Sequence, residues 1–288
     1  MSALDPESTL SGPRAGVLLD QALSGNDHRL DIAALAVACL EYPELALDET
    51  LARLDNLASR VRGSLPIAGD KSYSPTDAAY ALSQVLAHEE GFGGDRELLN
   101  FPEGSFLNRV LDQKVGLPIT LSVIYLEVAR RAGIEMYGVG MPGHFLVGIG
   151  EGQNRITLDP FHGGALLTEQ GCRRLMREAA PRVEFHRRLL DPTPPRAIAY
   201  RMLNNLKRAY LQREDPHRTL RVLDLMLRLV PDHPGELRSR ASLLCQIGAF
   251  RAALKDVERC LVLTPDAVDG RMLAMTARAL RERIELLN

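Results

Sequence analysis

The chain contains no tryptophan, and aromatic residues of all kinds make up only 5% of it. Its four cysteines, Cys39, Cys172, Cys245 and Cys260, stand far apart and include none of the close pairs that zinc or redox motifs use. They read as buried free thiols in a reducing compartment. No run of about 18 apolar residues occurs, so no membrane-spanning helix is expected. Residues 1–16 carry Asp, Glu, Pro and Gly where a secretory leader needs an apolar stretch, and a cytoplasmic protein is expected. No charge of one sign prevails: the formal net charge is -2, which gives no general attraction to nucleic acid or to an anionic membrane. Gly163-Gly164 lacks the Lys-Ser/Thr of a phosphate loop and reads as a turn. Neither a cofactor nor a metal is expected.

What remains is an ordinary globular composition, 45% hydrophobic and 25% charged, in 288 residues, enough for one large or two modest domains with real cores. Residues 1–25 read as a flexible lead. Ile32 to Ala38 in sequence, Ile-Ala-Ala-Leu-Ala-Val-Ala, form a core helix that ends before Pro43. Leu47, Leu51, Leu54, Leu57 and Val61 repeat at three and four residues and mark a second helix, with Asp48 near its cap. A third is expected over 76–90, opened by Asp77 and closed by Gly91.

The stretch 108–164 organises the chain. Pro118 stands where a first helical residue belongs, because its missing N–H would have had no partner there. Ile119, Val123, Leu126 and Ala129 make one apolar face, and Leu121, Ile124, Val128 and Ala132 widen it until the helix has to be buried. Glu127 and Arg131, four apart, are expected to pair on its solvent side, and Gly133 ends it. Strands are expected at 136–141, 144–149 and 155–159. Alternation places Phe145, Val147 and Ile149 on one face and His144 on the other. Paired in register, His144 and Asp159 meet near the start of the preceding helix, where a carboxylate fixes the imidazole tautomer.

A helix, then a strand bearing His, then a strand ending in Asp-Pro is the order of the papain-like transglutaminase core. The runs Ser105-Phe106-Leu107-Asn108-Arg109-Val110-Leu111, Gly116-Leu117-Pro118-Ile119-Thr120-Leu121-Ser122, Pro142-Gly143-His144-Phe145-Leu146 and Asp159-Pro160-Phe161-His162-Gly163-Gly164 resemble the transglutaminase-like domain of the SirB-one family, described as regulators of SirC expression. The resemblance extends to Glu90-Gly91-Phe92-Gly93-Gly94 and covers most of the chain. It implies that His144 and Asp159 match two members of the catalytic triad. The nucleophilic Cys would fall at Pro118, fifteen positions before Gly133, and proline has no nucleophile. Thr120 and Ser122 lie within one turn of that place and are the candidate hydroxyl nucleophiles; in a first helical turn such residues also commonly satisfy free N–H groups. Cys172, followed by Arg173 and Arg174, is a further thiol. Asn108, Pro118 and His162 are expected to line the cleft.

The family joins this domain to tetratricopeptide repeats, and the residues agree. From Arg196 onward the pattern is helical, and Leu220, Leu227, Leu229 and Pro231 superpose on Leu254, Leu261, Leu263 and Pro265 at a shift of 34. That length, ending in Pro, marks a tetratricopeptide unit, although the consensus Trp is absent. A last helix over 269–287 is expected to cap the stack. The expectation is an α+β chain: a helical N-terminal layer and small antiparallel sheet over 26–192, then helical repeats over 193–288. Functionally it reads as a non-catalytic protein- or peptide-binding module with a regulatory role. The other reading is a hydrolase or acyl transferase that uses Ser122 or Thr120 with His144 and Asp159.

Overall fold

In the computed structural model, which describes residues 12–25, 28–66, 73–152, 155–265 and 268–287, the helix expected after Gly116 runs Pro118–Ala132, and 13 of its residues are buried. With elements numbered along the chain, the helices before it are α1 (Pro13–Leu23), α2 (Leu30–Ala38), α3 (Leu47–Ser64), α4 (Pro75–Ser83) and α5 (Leu107–Gln113), which makes this helix α6. Two short strands, β1 (Gly93–Gly94) and β2 (Val115–Gly116), pair in parallel and hold the entrance to α6. After α6 come β3 (Met136–Val139), β4 (Leu146–Ile149), β5 (Ile156–Asp159) and β6 (Ala165–Leu167), an antiparallel sheet in sequential order, and then α7 (Glu169–Ala179). The helical part comprises α8 (Pro195–Gln212), α9 (Pro216–Leu229), α10 (Pro234–Gln246), α11 (Phe250–Leu263) and α12 (Gly270–Glu285).

The α+β class stands, with differences at the ends of elements. The expected lead through residue 25 is in part α1, whose Ala15, Leu19, Ala22 and Leu23 lie in the main core; residues 1–11 lie outside the described residues. Ser74, rather than Asp77, caps α4. Asp77 returns the bond to the Ser74 N–H in a reciprocal box, and beyond Ser83 the helix loosens into a π-turn over Gln84–Glu89. Asp48 sits in the first turn of α3 without capping it.

Glu127 and Arg131 do pair, at 2.6 Å, but in the interior. The α6 face that carries them meets α2, and they form a buried network with Asp31 there. Glu127 accepts the Leu30 N–H at 2.9 Å, which satisfies a free donor at the N-terminus of α2 with a carboxylate where the helix dipole favours one. Arg131 reaches Asp31, Glu127 and, at 2.7 Å, Asp55 of α3, tying three helices together. Burial alone would raise the pKa of Asp31. The hydrogen bonds from Arg29 and Arg131 more than offset it and hold the carboxyl below its usual range.

The helical part is not a separate lobe. Ile198, Met202, Leu203 and Leu206 of α8 and Val222, Leu223 and Met226 of α9 belong to the same core as α2 and α6, so the first hairpin completes the sheet-bearing domain. The second hairpin and α12 build a second core from Ala241, Leu244, Ala253, Val257, Ala277 and Leu280, to which α9 contributes Leu220. The bounds of α9 and α11 differ by 34 at both ends, as the repeat spacing predicts. Charges also join the stack. Arg240 of α10 bridges Asp224 of α9 at 2.8 Å and Asp256 of α11 at 2.7 Å, and Lys207 of α8 reaches Glu236 of α10 at 2.7 Å.

Two consequences are measurable. Arg131→Ala leaves two interior carboxylates short of a partner and is expected to cost about 3 kcal/mol in urea unfolding at neutral pH. Because the folded pKa of Asp31 is depressed, its contribution is present above the unfolded value near 3.9 and is lost as pH falls through the folded one, so the gap between wild type and variant should narrow in acid. An unchanged midpoint at pH 7 would contradict the network. In the repeats, Leu220 is fully buried and Leu254 only partly. Leu220→Ala should therefore cost about 2–5 kcal/mol and Leu254→Ala distinctly less; the reverse order in thermal melts would contradict this packing.

Candidate functional site

The loop that carries the candidate acid is built by local rules. Pro160 opens a short 3-10 turn, Pro160–His162, and Asp159 caps it: its Oδ1 accepts the N–H of Phe161 at 3.1 Å and that of His162 at 3.3 Å. Gly163 and Gly164 follow with φ of 67° and 70°, the left-handed region that glycine enters without strain. The Gly164 N–H then returns to the Asp159 carbonyl at 2.8 Å. A side chain at Gly164 would have no room, since its Cβ would fall 2.4 Å from the Ser83 hydroxyl oxygen and 2.9 Å from that of Tyr125. Phe161 is packed the same way: a Cβ on Gly94 would lie 2.1 Å from its ring. The two-residue strand β1 thus exists to let that ring approach.

The sheet brings His144 to this loop. The β4–β5 register pairs Val147 with Leu158 and Gly148 with Thr157; continued by one residue it sets Leu146 opposite Asp159. His144 lies two residues before Leu146 and so on the same face, just outside the strand, which starts at Leu146 and not at His144 as expected. Its position is fixed from behind. The Arg201 guanidinium of α8 donates to the His144 carbonyl at 2.6 Å and lies over the Phe145 ring. Burial pushes the Arg201 pKa down to about 10.

The result is two imidazoles on one interior carboxylate. His144 Nε2 lies 2.9 Å from Asp159 Oδ1, and His162 Nδ1 lies 2.7 Å from Oδ2. Asp159 is 1% exposed, His144 6%, and the His162 side chain 44%. Burial would raise the Asp159 pKa, but the hydrogen bonds from His144 and then His162 outweigh it and hold the carboxyl below its usual range. An ionised carboxylate only accepts, so Nε2 of His144 and Nδ1 of His162 carry the protons. Nδ1 of His144 makes no hydrogen bond among the described residues. The two rings stack at 5.7 Å, and Phe161 meets His144 edge-on at the same distance.

His144, His162 and Pro118 line one cleft of about 450 Å³ with Arg96, Gly143, Phe161, Leu175, Glu178 and Ala179. The candidate hydroxyls are elsewhere. The Ser122 hydroxyl is fully buried, with its oxygen 3.4 Å from the Phe145 carbonyl, and Thr120 is fully buried with its hydroxyl unpartnered among the described residues. Neither is hydrogen-bonded to His144 among the described residues. Asn108 is not among the cleft-lining residues, and its Oδ1 is buried without a partner among the described residues. Cys172 is packed with Val139, Met141, Leu146 and Leu190, and burial pushes its thiol up to about 11, the opposite of an activated nucleophile. A larger cavity, about 750 Å³, lies beside the C-terminal half of α6 and contains none of the candidate residues.

Sequence reasoning missed the α7 wall and Arg201. The α7 signal was present: Thr168 accepts the Gly171 N–H as an N-cap, and Cys172 and Met176, four apart, are its buried side. Nothing near Arg201 in the sequence points to a residue 57 positions earlier.

Comparison with known proteins finds relatives over most of the chain. The pattern of the transglutaminase-like superfamily matches residues 48–204, and that of the tetratricopeptide repeat matches residues 206–285. A UPF0162 protein of Xylella fastidiosa strain Temecula1 is 35% identical over 265 residues, 88% of this chain and 90% of that protein. Protein SirB1 of Salmonella typhimurium is 24% identical over 234 residues, 80% of this chain and 84% of its own. F-box only protein 21 of Mus musculus is 29% identical over 196 residues, 64% of this chain but 30% of that protein. No solved structure matches. By these matches the chain belongs to the transglutaminase-like superfamily, within the UPF0162 group, and carries tetratricopeptide repeats after that domain.

Proposed function

We propose that the protein is a non-catalytic protein- or peptide-binding module of the cytoplasm, a pseudoenzyme whose transglutaminase-like cleft has kept its walls and its proton-handling pair and lost its nucleophile. The observation that carries this reading is the placement of Pro118. It lines the cleft beside His144, where attack on an acyl carbon would begin, and it has neither a hydroxyl nor a thiol. The hydroxyls of Ser122 and Thr120 are turned into the core, so a hydrolase or acyl transferase built on them has no exposed attacking atom. A cleft of this size with an exposed cation, Arg96, an anion, Glu178, and apolar walls from Phe161 and Leu175 suits a stretch of polypeptide. The repeat region adds a second recess of about 440 Å³ between α10, α11 and α12, walled by Ala241, Val257 and Leu273, on the part of the chain where repeats of this kind present their partner surfaces.

The reading is tested by restoring what is missing. Pro118→Cys places a thiol at the helix N-terminus beside an imidazole already held by Asp159, the setting that lowers a cysteine pKa. Alkylation by iodoacetamide at position 118, followed by peptide mass spectrometry at pH 6, should be faster by roughly tenfold or more than in the same variant carrying His144→Ala. The wild-type chain should show no His144-dependent labelling. Equal rates in the two variants would mean that the cleft is not a disabled acyl-transfer frame.

A further inference from the structure

A carboxylate whose task is to orient one imidazole needs one imidazole. Asp159 has two, on different oxygens, and its position does not depend on either, because the Phe161 and His162 backbone N–H groups already hold Oδ1. The second ring, His162, is the accessible one of the three side chains, and both rings open to the same cleft. One nitrogen from each ring and an oxygen of Asp159 lie within 4.8 Å of one another. Two neutral imidazoles and one carboxylate form a donor set for borderline divalent ions such as Zn²⁺ and exclude Mg²⁺ and Ca²⁺, which take oxygen.

We propose that His144, Asp159 and His162 bind a divalent transition-metal ion of the Zn²⁺ class, with at least one coordination position facing the cleft. Bonds of about 2.0–2.1 Å from a tetrahedral ion set its ligand atoms roughly 3.3–3.4 Å apart. The present N–O separations of 2.9 and 2.7 Å therefore widen by several tenths of an ångström on loading, while the widest pair of the set, within 4.8 Å, closes. The half-exposed His162 supplies that movement by turning about its side-chain bonds, while Asp159 stays fixed by its backbone donors. Each imidazole needs only to change tautomer, moving its proton from the nitrogen that meets the metal to the other, so neutral rings release no proton. The other charged groups lining the cleft, Arg96 and Glu178, are of opposite sign and leave the choice of ion to the three donors. The inference rests on the donor geometry and not on the binding reading above, and it stands or falls separately from the Pro118→Cys experiment.

The test uses the full chain stripped with a chelator. Titration with Co²⁺ should give ligand-field bands that saturate at one equivalent, and Zn²⁺ should displace the Co²⁺ and raise the melting temperature. His162→Ala should weaken Zn²⁺ binding by more than the roughly 10–100-fold that changes behind a ligand produce, whereas His88→Ala, at an exposed histidine elsewhere, should leave it unchanged. The melting curve of apo His162→Ala reports whether that variant folds, and His162→Gln, which keeps the size of the side chain, serves as the second variant. Absence of saturable Co²⁺ bands in the wild type, or Zn²⁺ affinity that survives both His162 variants, would overturn the proposal.

Discussion

The carboxylate of Asp159 lies in the interior, where an ionised group persists only with donors to replace water, and here four engage it, three on Oδ1 and one on Oδ2. Two are backbone N–H groups of the turn that follows it and two are imidazoles. That one requirement sets much of what surrounds it. Pro160 has to start the turn without an N–H of its own, Gly163 and Gly164 have to enter left-handed conformations to bring the chain back, and Gly94 has to lack a side chain so that Phe161 can fold under the loop. His144 is then held in one tautomer, with Nδ1 left over.

The helical part of the chain contributes to the site from outside it. Arg201 is on α8, beside the boundary between the two family matches at residues 204 and 206, yet its guanidinium holds the carbonyl of His144 itself. Eight residues earlier, just before α8, the Thr193 N–H donates to the Gly138 carbonyl and its hydroxyl accepts the Gly140 N–H, so the connection extends the outer edge of β3. With α8 and α9 sharing the core of α2 and α6, the first hairpin packs as part of the cleft domain, and α9 also contributes Leu220 to the second core formed by the second hairpin and α12. The expected boundary at 192/193 marks a change of pattern and not a gap in packing.

Features governed by local rules were legible in the sequence. Pro118 and Gly133 bracket α6, the 34-residue shift matches α9 to α11, and strand alternation put His144 and Asp159 on one face. What escaped depends on contacts distant in sequence. Glu127 and Arg131 looked like a surface pair because i,i+4 spacing says nothing about which side of the helix meets α2. The strands β1 and β2 are two residues long and largely glycine, so they carry no alternation to detect. The helix α1 did carry a signal, Ala15, Leu19, Ala22 and Leu23, but one short amphipathic segment becomes a core element only through its partners α2 and α9. The guanidinium behind His144, 57 residues away, belongs to that class; the second imidazole on Asp159 is only three residues on, and that local contact was missed.

The central proposal is that the cleft holds an imidazole–carboxylate pair with no exposed thiol or hydroxyl beside it to attack a substrate. Intact-mass spectrometry of the wild-type protein, after incubation with a fluorophosphonate and separately with an activated acyl ester, tests this most directly. The account predicts no adduct that depends on His144. A stoichiometric adduct mapped to Ser122 or Thr120 and abolished by His144→Ala would contradict it.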